Sequence, residues 1–107
     1  MKTISAAELA QWLASQPESA PVVLDVRERW ELEQARLPQC LHIPMGDIPN
    51  RLNEIPESRP VVCLCHHGIR SYQVGLYLEK NGVNDVYNLH GGIAAWSAQV
   101  DPSCPTY

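Results

Sequence analysis

Apolar residues along the chain gather in short runs separated by prolines and polar clusters, and the runs are of two kinds. "MKTISAAELAQWL" is amphipathic: Ser5 and Glu8 form a capping box, Ile4 and Leu9 supply a hydrophobic staple, and a helix over about Ala6 to Ala14 buries Leu9, Trp12 and Leu13. "VVLDV" (Val22 to Val26), "CLHIP" (Cys40 to Pro44), "VVCLC" (Val61 to Cys65) and "DVYNL" (Asp85 to Leu89) are short, apolar and rich in β-branched residues, which predicts buried strands. Between them, "RERWELEQA" reads as a helix broken by Leu37-Pro38. "DIPNRLNEI" reads as a short helix with Asp47 as N-cap and Pro49 in its first turn. Ser71 to Asn81 is helical in chemistry and stops at Asn81-Gly82, "GGIAAW" opens a last helix, and the tail from about residue 100 to 107 is irregular.

Strands that alternate with helices and are apolar on both faces predict an α/β domain with a mainly parallel sheet. In such sheets ligands bind beyond the carboxyl ends of the strands. Cys65 falls at one of those ends, followed by the polar loop "HHG" and the start of a helix.

Composition narrows the picture. At 107 residues the chain is of one-domain length, taken as residues 1–107, and can bury a core without staples. A net charge of −4 leaves no basic footprint for nucleic acid, and an anionic ligand would have to be bound by local groups. No apolar run is long enough for a bilayer, and the N-terminus lacks the core of a secretory signal. Cys40, Cys63, Cys65 and Cys104 then read as reduced thiols in a cytoplasmic protein rather than as a disulfide framework.

The Cys65 loop can favour the thiolate over the thiol. Residues 66 to 71 turn tightly into a helix, so several backbone N–H groups lack helical partners and can converge on one point. Gly68 tolerates a positive φ there, and the helix directs its positive end at the same place. The alternative reading is an ordinary strand-to-helix turn that happens to carry a buried thiol.

"CHHGIRS" resembles the active-site loop of the rhodanese family, C-x-x-G-x-R-S. "VVLDVRERWE" resembles that family's hydrophobic-D-V-R-E segment, "LPQCLHIP" its H-I-P-G-A-x-N-I-P segment, and "YNLHGGIAAW" its L-x-G-G-x-x-x-W signature, all in the family's order. The resemblance implies a five-stranded parallel sheet with helices on both faces. It also implies a sulfurtransferase in which Cys65 is the nucleophile and persulfide carrier. His66, His67, Gly68, Ile69, Arg70 and Ser71 would form the anion-binding cradle, with Asp25 and Arg27 in support. No metal or organic cofactor is required. The expected partners are a small anionic sulfur donor such as thiosulfate and a cyanide, thiol or protein acceptor. The competing readings are a protein-to-protein sulfur carrier and a non-catalytic binding module. Cysteine-dependent phosphatases are disfavoured because they carry C-x5-R, whereas Arg70 stands here in C-x4-R.

Other positions carry narrower expectations. Cys63 points to the same side as Cys65 but deeper, as core, and Cys40 is also core. Cys104 reads as an idle exposed thiol, with sulfur relay or a protective disulfide as alternatives. The C-x-C-H-H cluster matches no usual zinc spacing. His66 and His67 line the loop mouth. Asp25 ends a strand beside the Cys65 strand, which suggests an Asp25–Arg70 ion pair bracing the loop. Arg27 and Glu28 shape the pocket rim, Gly91 and Gly92 permit a close turn into the last helix, and Trp96 is buried behind it. Trp30 lines the mouth or packs on the surface. The family pattern is broken at "ARLPQC", where Ala35, Arg36 and Gln39 replace Gly, His and Gly, so the turn there is expected to be built differently.

Overall fold

The computed structural model describes residues 1–107. Five strands, β1 (Lys2–Ile4), β2 (Val22–Asp25), β3 (Leu41–His42), β4 (Val61–Leu64) and β5 (Val86–Leu89), form one sheet in the order β1-β5-β4-β2-β3. Every neighbouring pair is parallel. The α-helices are α1 (Ala6–Ser15), α2 (Arg29–Gln34), α3 (Ile69–Lys80) and α4 (Gly92–Gln99).

The alternation of side chains along the strands divides the interior in two. Val23, Val62, Leu64 and Leu89 join Leu9 of α1 and Ile93 and Trp96 of α4 on one face. Leu24, Val61, Cys63, Cys65 and Val86 join Val74 and Leu78 of α3 on the other, closed by Ile48 and Ile55. Both faces of β2 and β4 are therefore covered, which is why these strands read as unbroken apolar runs. The expected α/β class with helices on both faces is what forms.

Most elements fall where the hydrophobic pattern placed them, and the departures have local causes. The Ser5 capping box is present, with Ser5 Oγ accepting from the Glu8 N–H and Glu8 accepting from the Ser5 N–H, each at 3.0 Å. Lys2–Ile4 is too short and too close to that cap to show as a strand by periodicity, yet it pairs with β5 at the sheet edge. "DIPNRLNEI" is not one helix capped by Asp47. It forms two 3-10 turns, Met45–Asn50 and Leu52–Glu54, and no side chain caps either. Pro49 lies inside the first, where its ring and missing N–H prevent an α-helix from propagating. Helix α3 begins at Ile69, two residues before the expected start, because Gly68 at φ +102° already takes the cap position. Gln39 stands at φ +59°, a conformation that favours glycine.

Candidate active site

Strand β4 is the middle strand of the sheet, and its carboxyl end delivers Cys65 into the loop that opens α3. The thiol is almost wholly buried, at 1% exposure, on the same face as Cys63 and nearer the strand end, as expected. Two donors or acceptors touch the sulfur. The Gly68 N–H donates to Sγ at 3.1 Å, and Ser71 Oγ lies 3.3 Å from it. The backbone N–H groups of His66, His67, Ile69, Arg70 and Ser71 donate to no protein acceptor. The loop thus carries one amide already on the sulfur and five others that have no protein acceptor.

Helix α4 holds the loop from behind. Its Ile93 and Ala94 N–H groups donate to the carbonyls of Cys65 (2.9 Å) and His66 (3.2 Å). Because a trans peptide points its C=O and N–H in opposite directions, fixing these carbonyls turns the His66 and His67 N–H groups away from α4. This contact requires glycine at 92. A Cβ there would sit 2.4 Å from both carbonyl oxygens, at a φ of +61° that already disfavours any side chain. Gly68 is similarly constrained: at φ +102°, a Cβ would lie 3.3 Å from both the Gly91 nitrogen and the Leu89 carbonyl oxygen. A buried circuit closes the loop from the β5 side. Ser71 Oγ donates to Asn88 Oδ1 at 2.5 Å, and Asn88 Nδ2 donates to the Gly68 carbonyl at 3.1 Å.

The ion pairs differ from the expected Asp25–Arg70 bridge. Asp25 is spent on Arg27, whose Nε and Nη2 reach its carboxylate at 3.0 and 2.7 Å, both residues being fully buried. Asp25 and Arg27 are adjacent enough in sequence to pair at the strand end, and Asp25 has no oxygen left for a second guanidinium. Arg27 is therefore not at a rim. It also donates to the Glu31 and Ala35 carbonyls and to the Tyr107 hydroxyl, and although burial opposes its charge, Asp25 and Tyr107 hold it firmly ionised.

Arg70 pairs instead with Glu31 of α2, by two bonds of 2.6 and 2.9 Å. Glu31 also accepts from the Tyr107 hydroxyl at 2.6 Å and from the Glu28 N–H at 3.1 Å. The Arg70 bonds pull the Glu31 carboxyl down to about 2 from its ordinary 4.5; burial acts against them, and Tyr107 and the Glu28 amide assist. A carboxylate depressed in the folded state adds stability above the ordinary range and loses it as the pH falls towards its folded value. We therefore expect the urea midpoint to fall between about pH 5 and pH 2, and Glu31→Gln to flatten that part of the profile. An unchanged slope in the variant would count against the pairing.

The tail packs on the domain, and one expectation within it fails. Asp101–Tyr107 has no helix or strand, but it folds back rather than hanging free. Cys104 is buried in the α1/α4 core, with its carbonyl accepting from Ser97 Oγ at 2.7 Å, so it is not an idle exposed thiol. Tyr107 stacks on His66 at 4.0 Å between ring centroids, and His66 stacks on His67 at 3.9 Å. The three rings form one stacked column. Desolvation, followed by the neighbouring His67, lowers the His66 pKa and favours a neutral ring. Trp30 is 58% exposed and meets Tyr107 edge-on, so it stands on the surface beside the mouth. Cys40 is partly buried against the core, and Trp96 is buried behind Gly91 and Gly92. No group of three or more His, Cys, Asp or Glu side chains is arranged to hold a metal ion. No helix is long and apolar enough to cross a membrane.

Glu31, Asn88 and Tyr107 are the site residues that sequence reasoning passed over. Glu31 sits in a charged stretch that reads as a solvated helix face, and Tyr107 in a tail without periodicity. Asn88 left the one usable signal, a polar residue inside an otherwise apolar strand.

Fold and loop together define a class: an all-parallel α/β protein with a cysteine at the carboxyl end of its middle strand, framed by the starts of two helices. Known proteins specify it further. The family model described as "Rhodanese-like domain" matches residues 5–99. A sulfurtransferase of Allochromatium vinosum is 42% identical over 94 residues, covering 88% of this chain and 86% of that protein. The thiosulfate sulfurtransferase GlpE of Coxiella burnetii is 32% identical over 72% of each chain. The crystal structure of a rhodanese-like domain protein from Staphylococcus aureus superposes with a TM-score of 0.85 at 33% identity, covering 100% of this chain and 99% of that one. The chain belongs to the rhodanese-like sulfurtransferase family.

Proposed function

We propose that the protein moves a sulfane sulfur from a small anionic donor of the thiosulfate type to a nucleophilic acceptor through a persulfide on Cys65. The observation that carries this reading is the Gly68 N–H on Cys65 Sγ at 3.1 Å, within a loop whose other five amides have no protein acceptor. Such a loop suits an anion that arrives and then a charged sulfur that stays, as preorganised donors suit an oxyanion. The similarity to a protein named thiosulfate sulfurtransferase supports the donor class.

The steps balance without an external oxidant. The Cys65 thiolate attacks the outer sulfur of thiosulfate, a new S–S bond forms, the sulfur–sulfite bond breaks, and sulfite leaves with the electron pair. The persulfide then bears the charge on its outer sulfur, among the loop amides. Attack by cyanide or a thiolate on that outer sulfur returns the Cys65 thiolate. Arg70, held by Glu31, keeps a positive charge beside the sulfur, while Asp25 and Arg27 fix the strand end that carries α2. The small loop, with Arg70 five residues after Cys65, fits one sulfur better than a phosphoryl group. All four cysteines are free thiols, which suits a reducing cytoplasmic setting.

Two half-reactions on one modified cysteine predict ping-pong kinetics with thiosulfate and cyanide. Double-reciprocal plots at several cyanide concentrations should be parallel. Lines that converge to the left of the axis would mean that both substrates bind before chemistry, and would contradict a covalent carrier. A protein acceptor is the second reading with an observation behind it: Ile69 in the loop is 73% exposed and Trp30 stands exposed beside the mouth, which is apolar surface a protein partner could cover.

A further inference from the structure

We propose that Asn88 is a positioning residue that decides which atom the Ser71 hydroxyl hydrogen serves, holding it off the Cys65 sulfur while that sulfur is a thiol. Ser71 is fully buried and Asn88 nearly so, which leaves solvent no part in the arrangement. The Gly68 carbonyl can only accept, so the Asn88 atom 3.1 Å from it is the amide nitrogen. That fixes the Asn88 carbonyl towards Ser71, 2.5 Å away. A carbonyl cannot donate. The single hydroxyl hydrogen of Ser71 therefore points at Asn88, and towards Sγ, at 3.3 Å, Ser71 shows only lone pairs. In the resting site the Cys65 S–H is the donor of that contact.

Ionisation upsets this wiring. With the proton gone to solvent, lone pairs on Ser71 would face a charged sulfur unless the hydroxyl turns to donate. If it turns, the buried Asn88 Oδ1 loses its only donor, and an unsatisfied buried acceptor is costly. Either way Asn88 opposes the free thiolate. The Gly68 N–H acts in the other direction and is present in both states. In a persulfide the charge sits on the outer sulfur among the loop amides, Sγ needs no hydrogen from Ser71, and the circuit stays intact. Asn88 thus biases the site towards the neutral thiol and the persulfide and against the free thiolate between them.

The charged and titratable groups that face the sulfur are few. Arg70 comes from α3 with Glu31 of α2 bound to it, His66 follows in the loop, and Cys63 lies behind on β4, pushed up to about 12 by burial and the nearby sulfur. Asp25 of β2 is committed to Arg27, the first turn of α4 carries no charged or titratable side chain, and β5 brings Asn88 itself.

The inference takes Cys65 as the reactive thiol, but its test does not depend on sulfur transfer. The readout is the pH profile of Cys65 alkylation by iodoacetamide, followed by peptide mass, in the full chain. Asn88→Leu frees the Ser71 hydrogen for sulfur and should move the midpoint down by about one pH unit, a tenfold change in the thiolate fraction. Asn88→Asp keeps an acceptor on Ser71 and adds charge, so its midpoint should move up. Opposite directions from two variants at one position would not come from a loosened fold. In a Ser71→Ala background the downward shift with leucine should vanish. A midpoint that Asn88→Leu leaves in place or raises, or a shift that persists without Ser71, would overturn the proposal. Loss of sulfur transfer with these shifts intact would instead count against the proposed function.

Discussion

Cys65→Ser should leave a folded protein with no sulfurtransferase turnover above background. The substituted oxygen still finds the Gly68 N–H and the Ser71 hydroxyl, so the loop keeps its partners, and thermal unfolding should shift by no more than a few degrees. The chemistry does not survive. A serine hydroxyl is far weaker as a nucleophile and forms no persulfide, and the remaining thiols cannot stand in. Burial pushes Cys63 and Cys40 up to about 12, with the nearby Cys65 adding to it at Cys63 and Asp25 adding to it at Cys40. Burial also raises Cys104, which sits in the opposite core. None of the three has a backbone N–H on its sulfur. A steady-state assay with thiosulfate and cyanide checks the point, and appreciable turnover in the variant would place the reactive sulfur elsewhere.

The largest effect on stability should come from Asp25→Ala. Both members of the Asp25–Arg27 pair are fully buried, and the carboxylate takes two guanidinium bonds and the Arg27 backbone N–H. Removing it strands a guanidinium that remains tied to the Glu31 and Ala35 carbonyls and has no route to water. Breaking a buried pair in this way costs about 3–5 kcal/mol, a large share of the roughly 5–15 kcal/mol that holds a domain of this size. Urea unfolding should show the loss as a lower midpoint with a similar slope. Because Arg27 also anchors Tyr107, the tail should be weakened along with the sheet. A midpoint within error of the parent would show that the pair contributes little.

The fold was legible because its information is local and repetitive. Apolar β-branched runs, a capping box and an Asn-Gly stop each act over a few residues, and together they place four of the five strands and all four α-helices. Strand β1 was hidden because three residues at a sheet edge carry no period, and its partner β5 lies more than eighty residues away. At the site, Gly68, Gly91 and Gly92 could be read because a positive φ confines those positions to few residue types, and Cys65 because it closes an apolar run just before Gly68. The ion pairs could not. Asp25 and Arg70 have the right charges and lie on neighbouring elements, yet the partner of each is chosen by geometry at the ångström scale, and Glu31 outcompetes Asp25 for Arg70 only once α2 is laid down. Cys104 was misread and Tyr107 passed over for the same reason: a tail without periodicity gives no sign that it packs.

Sulfur transfer through Cys65 requires one modified sulfur, and the mass of the intact protein reports it most directly. After incubation with thiosulfate and removal of the small molecules, the parent should gain about 32 Da, the mass of one sulfur atom added as a persulfide. Cyanide should remove the gain, peptide mapping should place it on Cys65, and Cys65→Ser should not show it. A gain that persists in Cys65→Ser, or that maps to Cys40, Cys63 or Cys104, would contradict the account.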